Sequence, residues 1–177
     1  MHFKLITLSY ALILPTVSQI IAQPSSNSTY LTAPALVTVN NRTVVQCWRL
    51  NTPFLTSSTP GTSGAKTATI TNATNLAYTI LPPRFNGGLH TAPLPQIVHF
   101  LSGLAHITLP DDPDTDLWLV GGAGGLLFAA DTTGPGHITR YPSEQKTVGL
   151  VAPFEGGKVP DYQVLREGAC EGLQTFI

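Results

Sequence analysis

The chain has 177 residues, which is enough for one ordinary domain and too few for two of usual size. Nine Lys and Arg against ten Asp and Glu give a net charge of −1, and no basic run is present to contact a phosphate backbone, so no nucleic-acid partner is expected. Only 11% of the residues are charged whereas 42% are hydrophobic, which is ample material for a core.

Residues 1–22 have the features of a secretory signal peptide. Lys4 supplies a positive charge, an apolar run extends from Leu5 to Val17, and Ala22 is a small residue at the cleavage position. Because this run is short and Pro15 interrupts it, a membrane-spanning helix is the less favoured interpretation. The sequence therefore predicts a secreted protein that has no membrane attachment once the signal is removed.

Three tripeptides behind this segment match the acceptor pattern for N-glycosylation, and they begin at Asn27, Asn41 and Asn72. Several such sites after a signal peptide reinforce the expectation of secretion. The first two fall in residues 23–42, which are polar and irregular and predict a flexible, glycosylated lead-in.

The domain itself is predicted over residues 43–155, where short β-branched and aromatic segments alternate with Gly-, Pro- and Asp-rich turns. Eight or nine short strands with no βαβ alternation predict an all-β sandwich or barrel. A C-terminal tail, 156–177, contains a weak helix candidate at 162–170. The predicted strands are 43–50, 68–71, 76–81, 96–101, 105–109, 117–120, 126–130, 137–141 and 147–153.

The chain contains two cysteines, Cys47 and Cys170. In an oxidising compartment an even number favours one disulfide, which would join the first predicted strand to the C-terminal tail. Two unpaired thiols are the alternative.

Two segments contain the residues that are suited to catalysis or to metal binding. The first segment contains His90, then Gln96 six residues later and Gly103 seven residues after that. The second segment, residues 124–137, begins with two glycines and ends with the sequence Asp-Thr-Thr-Gly-Pro-Gly-His, whose last residue is His137. In order and spacing they resemble the two conserved motifs of the cupin superfamily, and the second is similar to that of small secreted single-domain fungal cupins. The resemblance implies a single-domain jelly-roll β-barrel, with short irregular extensions, whose open end holds a small molecule or a metal ion.

Two positions depart from the family pattern, since Ala92 replaces its second histidine and Gln96 its glutamate. The resemblance then leaves His90, Gln96 and His137 as donors for a weakly held divalent metal, which could be Fe, Mn, Zn, Ni or Cu, with Asp131 as a substitute carboxylate. Without a metal, the two imidazoles are suited to proton transfer, and the Gln96 amide could orient a carbonyl group. The remaining alternative is that these residues perform no reaction.

Strand alternation gives one further expectation about this region. If Gln96 faces the interior, Val98 and Phe100 face it too, so the site would be mostly apolar. His99 falls on the opposite face of the same strand, and His106 is expected to face outward as well.

The resemblance also implies a function. It predicts a secreted cupin-type enzyme, a tailoring oxidoreductase, isomerase or cyclase of secondary metabolism, that acts on an apolar polyketide- or terpenoid-like molecule inside the barrel. The alternative is a non-catalytic secreted cupin that binds a small ligand, because one fold hosts many activities. A homodimer formed through strand edges is a further expectation.

Overall fold

The computed structural model describes residues 29–171, and more than half of these residues are in strands. The prediction of an all-β chain is confirmed. Within the described residues, no helix has the length and apolar character needed to cross a membrane. The strands are β1 (Tyr30–Val39), β2 (Arg42–Pro53), β3 (Leu55–Thr56), β4 (Lys66–Thr67), β5 (Ala77–Leu81), β6 (Asn86–His90), β7 (Gln96–Ser102), β8 (Leu104–Leu109), β9 (Asp112–Val120), β10 (Leu126–Ala130), β11 (His137–Arg140), β12 (Thr147–Pro153) and β13 (Tyr162–Glu167), with one 3-10 turn at Glu155–Gly157.

A seven-stranded sheet forms the larger layer, in the order β13-β2-β1-β10-β7-β12-β5. All of its neighbours are antiparallel except β1 and β10, which run parallel. Its first hairpin turns at Asn40 and Asn41, whose φ angles of 50° and 59° lie in the left-handed region that asparagine tolerates better than most residues. This turn fixes the β1–β2 register that pairs Leu36 with Val45.

A four-stranded sheet, in the order β6-β11-β8-β9, forms the second layer. The chain passes from the large sheet to this one at Gly103, where φ is 89° and a β-carbon would lie 2.7 Å from the Thr147 Cα, so glycine is required there. The two sheets do not close into a barrel, so the predicted barrel is replaced by two open layers. Within residues 29–171, β13 and β5 end one sheet and β6 and β9 end the other, and none of these edge strands pairs with the opposite sheet.

The main core lies between the two sheets and follows directly from strand alternation. Alternate residues of β8 (Ala105, Ile107 and Leu109) are buried and meet Leu117 and Leu119 of β9. From the large sheet the same cluster receives Leu36, Val45, Phe100 and Leu127. Burial of these apolar side chains is the largest favourable contribution to folding and holds the two layers together.

The outer face of the large sheet carries a second core, built on Trp48, Phe128 and Phe154. The Trp48 and Phe128 rings stack with centroids 5.6 Å apart. Ile70 packs against this cluster from an irregular segment, so the strand predicted at 68–71 is wrong. The β-branched residues there reflect side-chain burial without strand pairing.

Both chain ends of the domain are more ordered than the sequence predicts. The predicted irregular lead-in contains β1, which lies in the interior of the large sheet and buries Ala33, Ala35 and Leu36 completely. Pro34 is tolerated because pairing with β10 begins only at Ala35, so this position has a neighbouring strand on one side alone. The predicted C-terminal helix is instead β13, an edge strand on β2.

The predicted disulfide is confirmed. Cys47 in β2 is bonded to Cys170, which follows β13, with a Cα–Cα distance of 4.8 Å. The bond fastens the exposed edge strand β13 and the residues after it to the buried part of β2.

Candidate functional site

A cavity of about 170 Å³ lies between the two sheets and contains every residue of the predicted catalytic set. Its floor and walls are mostly apolar, and its polar groups are few. The apolar lining residues are Ala92, Pro93, Val98, Phe100, Ile107, Leu127, Ala129 and Val151; the polar ones are His90, Gln96, His137, Thr139 and Tyr141. An apolar hollow with a few converging polar groups is the usual form of a small-molecule site.

The two histidines meet because their strands are neighbours in the small sheet. His90 is the last residue of β6, His137 is the first of β11, and the two are register partners. Their ring centroids are 4.4 Å apart and the ring planes are inclined by 57°. His137 is buried with 5% exposure, whereas His90 is exposed, so one imidazole lies inside the cavity and the other at its mouth.

Gly136 makes this close approach possible. Its φ of 75° is unfavourable for other residues, and a β-carbon at this position would lie 2.4 Å from the backbone oxygen of His90. The glycine immediately before His137 therefore allows the start of β11 to pack against the end of β6.

A carboxylate lies behind the buried histidine. Asp131 is completely buried and does not line the cavity, and its Oδ2 lies 2.6 Å from His137 Nδ1. The corresponding nitrogen of His90, Nδ1, lies 3.0 Å from the carbonyl oxygen of Gly88, which can only accept a hydrogen bond. Each ring thus uses Nδ1 as a donor, and Nε2 is the nitrogen left to meet a bound molecule.

Strand β7 presents the three side chains that alternation predicts. Gln96, Val98 and Phe100 all line the cavity. His99 faces the opposite side, where its Nε2 is 3.0 Å from the Gly122 carbonyl oxygen. His99 therefore anchors a turn and takes no part in the site.

His106 also lies outside the cavity, on the outer face of the small sheet. It stacks on Trp118 with centroids 4.0 Å apart and pairs with the Asp116 carboxylate. Hydrogen bonds from Trp118 and His106 lower the pKa of Asp116 below its usual value. This exposed His–Asp pair is a natural control for the buried pair of the site.

Two polar residues of the site were not found from the sequence, although a signal for both was present. Thr139 follows His137 at an interval of two on β11 and Tyr141 follows just after the strand, so alternation counted from His137 points both toward the cavity. The Tyr141 ring lies 6.0 Å, centroid to centroid, from both Phe85 and Phe100. Burial raises the pKa of the Tyr141 hydroxyl to about 12, so it stays a neutral group in the cavity wall.

This shift predicts a dependence of stability on alkaline pH. Above pH 10 the unfolded tyrosine loses its proton while the folded one keeps it, so the free energy of unfolding falls as the pH rises. Relative to Tyr141→Phe, the wild-type protein should lose about 1 kcal/mol between pH 9 and 11. Urea unfolding at several pH values measures this, with Tyr78→Phe, which removes the hydroxyl of a tyrosine that is 62% exposed, as the matched control. Parallel pH profiles for wild type and Tyr141→Phe would contradict the assignment.

The polar groups of the cavity lack the charge that a resident metal ion requires. The cavity offers two imidazoles and a neutral amide as ligands, but no carboxylate to balance the charge of a metal ion. The Asp131 carboxylate faces His137 Nδ1 from outside the cavity. Among residues 29–171 no cluster of three or more His, Cys, Asp or Glu is placed to hold an ion. These donors do not fit a resident divalent cation. Weak binding through His90, Gln96 and His137 stays a prediction.

Comparisons of the chain with models of protein families, with curated proteins and with solved structures found no match.

Proposed function

We propose that the cavity binds a small, uncharged and largely apolar molecule and that its two histidines move a proton on that molecule, as in an isomerase or a cyclase. The observation that carries this proposal is the pair of imidazoles, 4.4 Å apart, at one apolar cavity. Imidazole gains and loses protons near neutral pH, so such a pair suits general acid–base catalysis.

The geometry suggests a role for each group. His137 Nε2 takes a proton from the carbon that lies between a carbonyl group and a carbon–carbon double bond, and the C–H electron pair moves into a dienolate whose oxygen accepts a hydrogen bond from the Gln96 amide. Protonated His90 then donates a proton to the far end of the dienolate, which is the γ-carbon. The proton on His137 passes back to the neighbouring His90 ring, so the double bond has shifted and both rings are restored.

The size of the cavity limits what enters it. Sites for drug-sized ligands usually measure about 300–1,000 Å³, and this cavity measures about 170 Å³. A polyketide- or terpenoid-like substrate would therefore place one ring or one end in the cavity while its remainder lay outside, beyond the exposed His90 and Pro93.

Membership of the cupin superfamily is part of this proposal. It is supported by the two motifs and by the way the chain brings their histidines to one cavity between two facing sheets, the arrangement of a double-sheet jelly roll. The parallel pairing of β1 with β10 is a departure from an all-antiparallel jelly roll. Fold resemblance alone does not select a reaction, and the residues of the site carry the functional argument.

The conversion of 3-cyclohexen-1-one to its conjugated isomer tests the proposal, because it is a proton shift on a small neutral ketone. We expect the wild-type protein to accelerate the absorbance change, and His137→Ala to lower the rate on the order of 10²–10⁴-fold. His106→Ala, on the outer face of the small sheet, is the matched control and should keep the wild-type rate. A wild-type rate equal to that of buffer with this ketone and with larger cyclic enones would overturn the proposal.

The second candidate function is a non-catalytic ligand-binding protein. Its supporting observation is the mostly apolar lining of the cavity, since such a lining favours the binding of an apolar molecule whether or not a reaction follows. Saturation-transfer NMR with the same ketone distinguishes the two, since binding without isomerisation favours this alternative.

We also propose that the protein is secreted and glycosylated. Asn41 and Asn72 are both exposed, while Asn27 and the signal segment 1–22 lie outside the described residues. When the chain is expressed in a eukaryotic host, Asn41→Gln and Asn72→Gln should each remove one glycan, seen as a mass loss that glycosidase treatment of the wild type reproduces. Identical masses for wild type and both variants would show that these sequons are unused.

The homodimer stays a prediction. One of the two edge strands of the large sheet is β5, on which Tyr78 and Ile80 are 62% and 56% exposed. A second copy would add to the sheet at this edge, because unpaired backbone groups are available there.

A further inference from the structure

Asp131 is a buried carboxylate whose side chain contacts one polar group. Its Oδ2 lies 2.6 Å from His137 Nδ1, and its Oδ1 has no hydrogen-bond partner among the described residues. Burying a carboxylate is costly unless it is fully hydrogen-bonded, so a purely structural aspartate would be expected to satisfy both oxygens.

The turn that contains Asp131 does not depend on its carboxylate. The backbone oxygen of Asp131 accepts a hydrogen bond from the Ala92 amide at 3.2 Å, which joins this segment to the chain after β6 without the side chain. Thr38 Oγ1 donates to the Thr133 carbonyl oxygen at 2.7 Å and holds the next part of the turn. The one polar contact made by the carboxylate is therefore with the imidazole of the site.

A carboxylate on Nδ1 has two effects on a histidine. It keeps the proton on Nδ1, so Nε2 carries the lone pair, and it fixes the direction in which the ring points. It also stabilises the imidazolium that forms when Nε2 takes up a proton. His90 has only a neutral carbonyl oxygen at its Nδ1, so the two imidazoles are not equivalent.

We infer that Asp131 is the positioning residue of the site, which sets the tautomer and orientation of His137 and thereby makes His137 the base and His90 its partner. The inference rests on the proposed proton transfer for its catalytic meaning. It departs from the expectation that Asp131 replaces the missing carboxylate as a metal ligand, because the carboxylate acts through His137 from outside the cavity.

The tautomer of His137 can be measured without any activity. In the wild-type protein, ¹⁵N–¹H correlation spectra of the imidazoles should show His137 with its proton on Nδ1, the signal being assigned by its loss in His137→Ala. In Asp131→Asn the amide can turn an N–H toward Nδ1, so the proton should move to Nε2. The His90 tautomer should not change, since its partner is the Gly88 carbonyl oxygen.

The isomerisation rate provides the second readout. Asp131→Asn should slow the reaction on the order of 10²–10⁴-fold, whereas Asp116→Asn, which alters the exposed carboxylate paired with His106, should leave the rate unchanged. A wild-type His137 with its proton on Nε2 would overturn the inference even if the Asp131 variant failed to fold. So would an Asp131→Asn protein that keeps both the tautomer and the rate. If the wild-type protein has no isomerase activity, the proposed function fails, and the tautomer measurement still decides the position of the proton.

Discussion

Replacing Cys47 and Cys170 by alanine together is expected to lower the free energy of unfolding by about 5 kcal/mol. The bond joins residues separated by 123 positions, and closing so long a loop removes much conformational entropy from the unfolded chain. Since a domain of this kind is stable by roughly 5–15 kcal/mol, the loss is a large part of the total.

The location of the bond predicts which part of the fold loosens first. All six residues of β13 are exposed, and within the described part of the chain the strand pairs with β2 alone, so it has little buried surface to hold it once the bond is absent. Denaturant unfolding measures the stability, and hydrogen exchange should show β13 amides losing protection before those of β7. A double variant within about 1 kcal/mol of wild type, or two free thiols in the denatured unreduced protein, would contradict this account.

The sequence was sufficient to predict the elements whose signals are local. Alternating apolar residues locate β8, and the predicted strand at 147–153 has the same bounds as β12. The resemblance of the two motifs to those of cupins implied that His90, Gln96 and His137 share one site, and all three residues line the cavity. Alternating patterns of this kind predict strands reliably because each such strand buries one of its two faces.

Strands whose formation depends on pairing with a segment far away in the sequence were not predictable in the same way. β1 contains Pro34 and small residues, and its burial arises from neighbours on both sides, one of them the parallel strand β10. β13 exists because β2 offers it a free edge. The residues of β1 and β13 do not themselves show which distant strand will pair with them, so their composition indicated an irregular segment and a weak helix.

The role of Asp131 illustrates the same limit within the site. Its distance of six residues from His137 is compatible with a turn, and only the folded structure shows that the turn brings its carboxylate to Nδ1 while excluding it from the cavity. The direction of a side chain in a turn is not determined by strand alternation, since alternation ends with the strand.

Gly136→Ala is expected to separate the two imidazoles and to destabilise the protein by roughly 2–5 kcal/mol. Part of the cost is the backbone, because alanine at a φ of 75° is strained by about 1–2 kcal/mol. The rest is steric, since the new β-carbon would lie 2.4 Å from the His90 backbone oxygen and 2.7 Å from its carbonyl carbon. Backbone atoms cannot yield by a rotamer change, so β6 must move away from β11.

Gly61→Ala is the matched control for this substitution. Its φ of 87° imposes a similar backbone strain, but no atom lies within 4 Å of the position a β-carbon would take. The control should therefore lose about 1–2 kcal/mol of stability and keep the wild-type isomerisation rate. Gly136→Ala should lose more stability and at least about 10²-fold in rate, because a displacement near 1 Å in a catalytic group has an effect of that size. Equal losses in the two variants would mean that backbone strain alone matters, and that the approach of β6 to β11 does not determine how His90 meets His137.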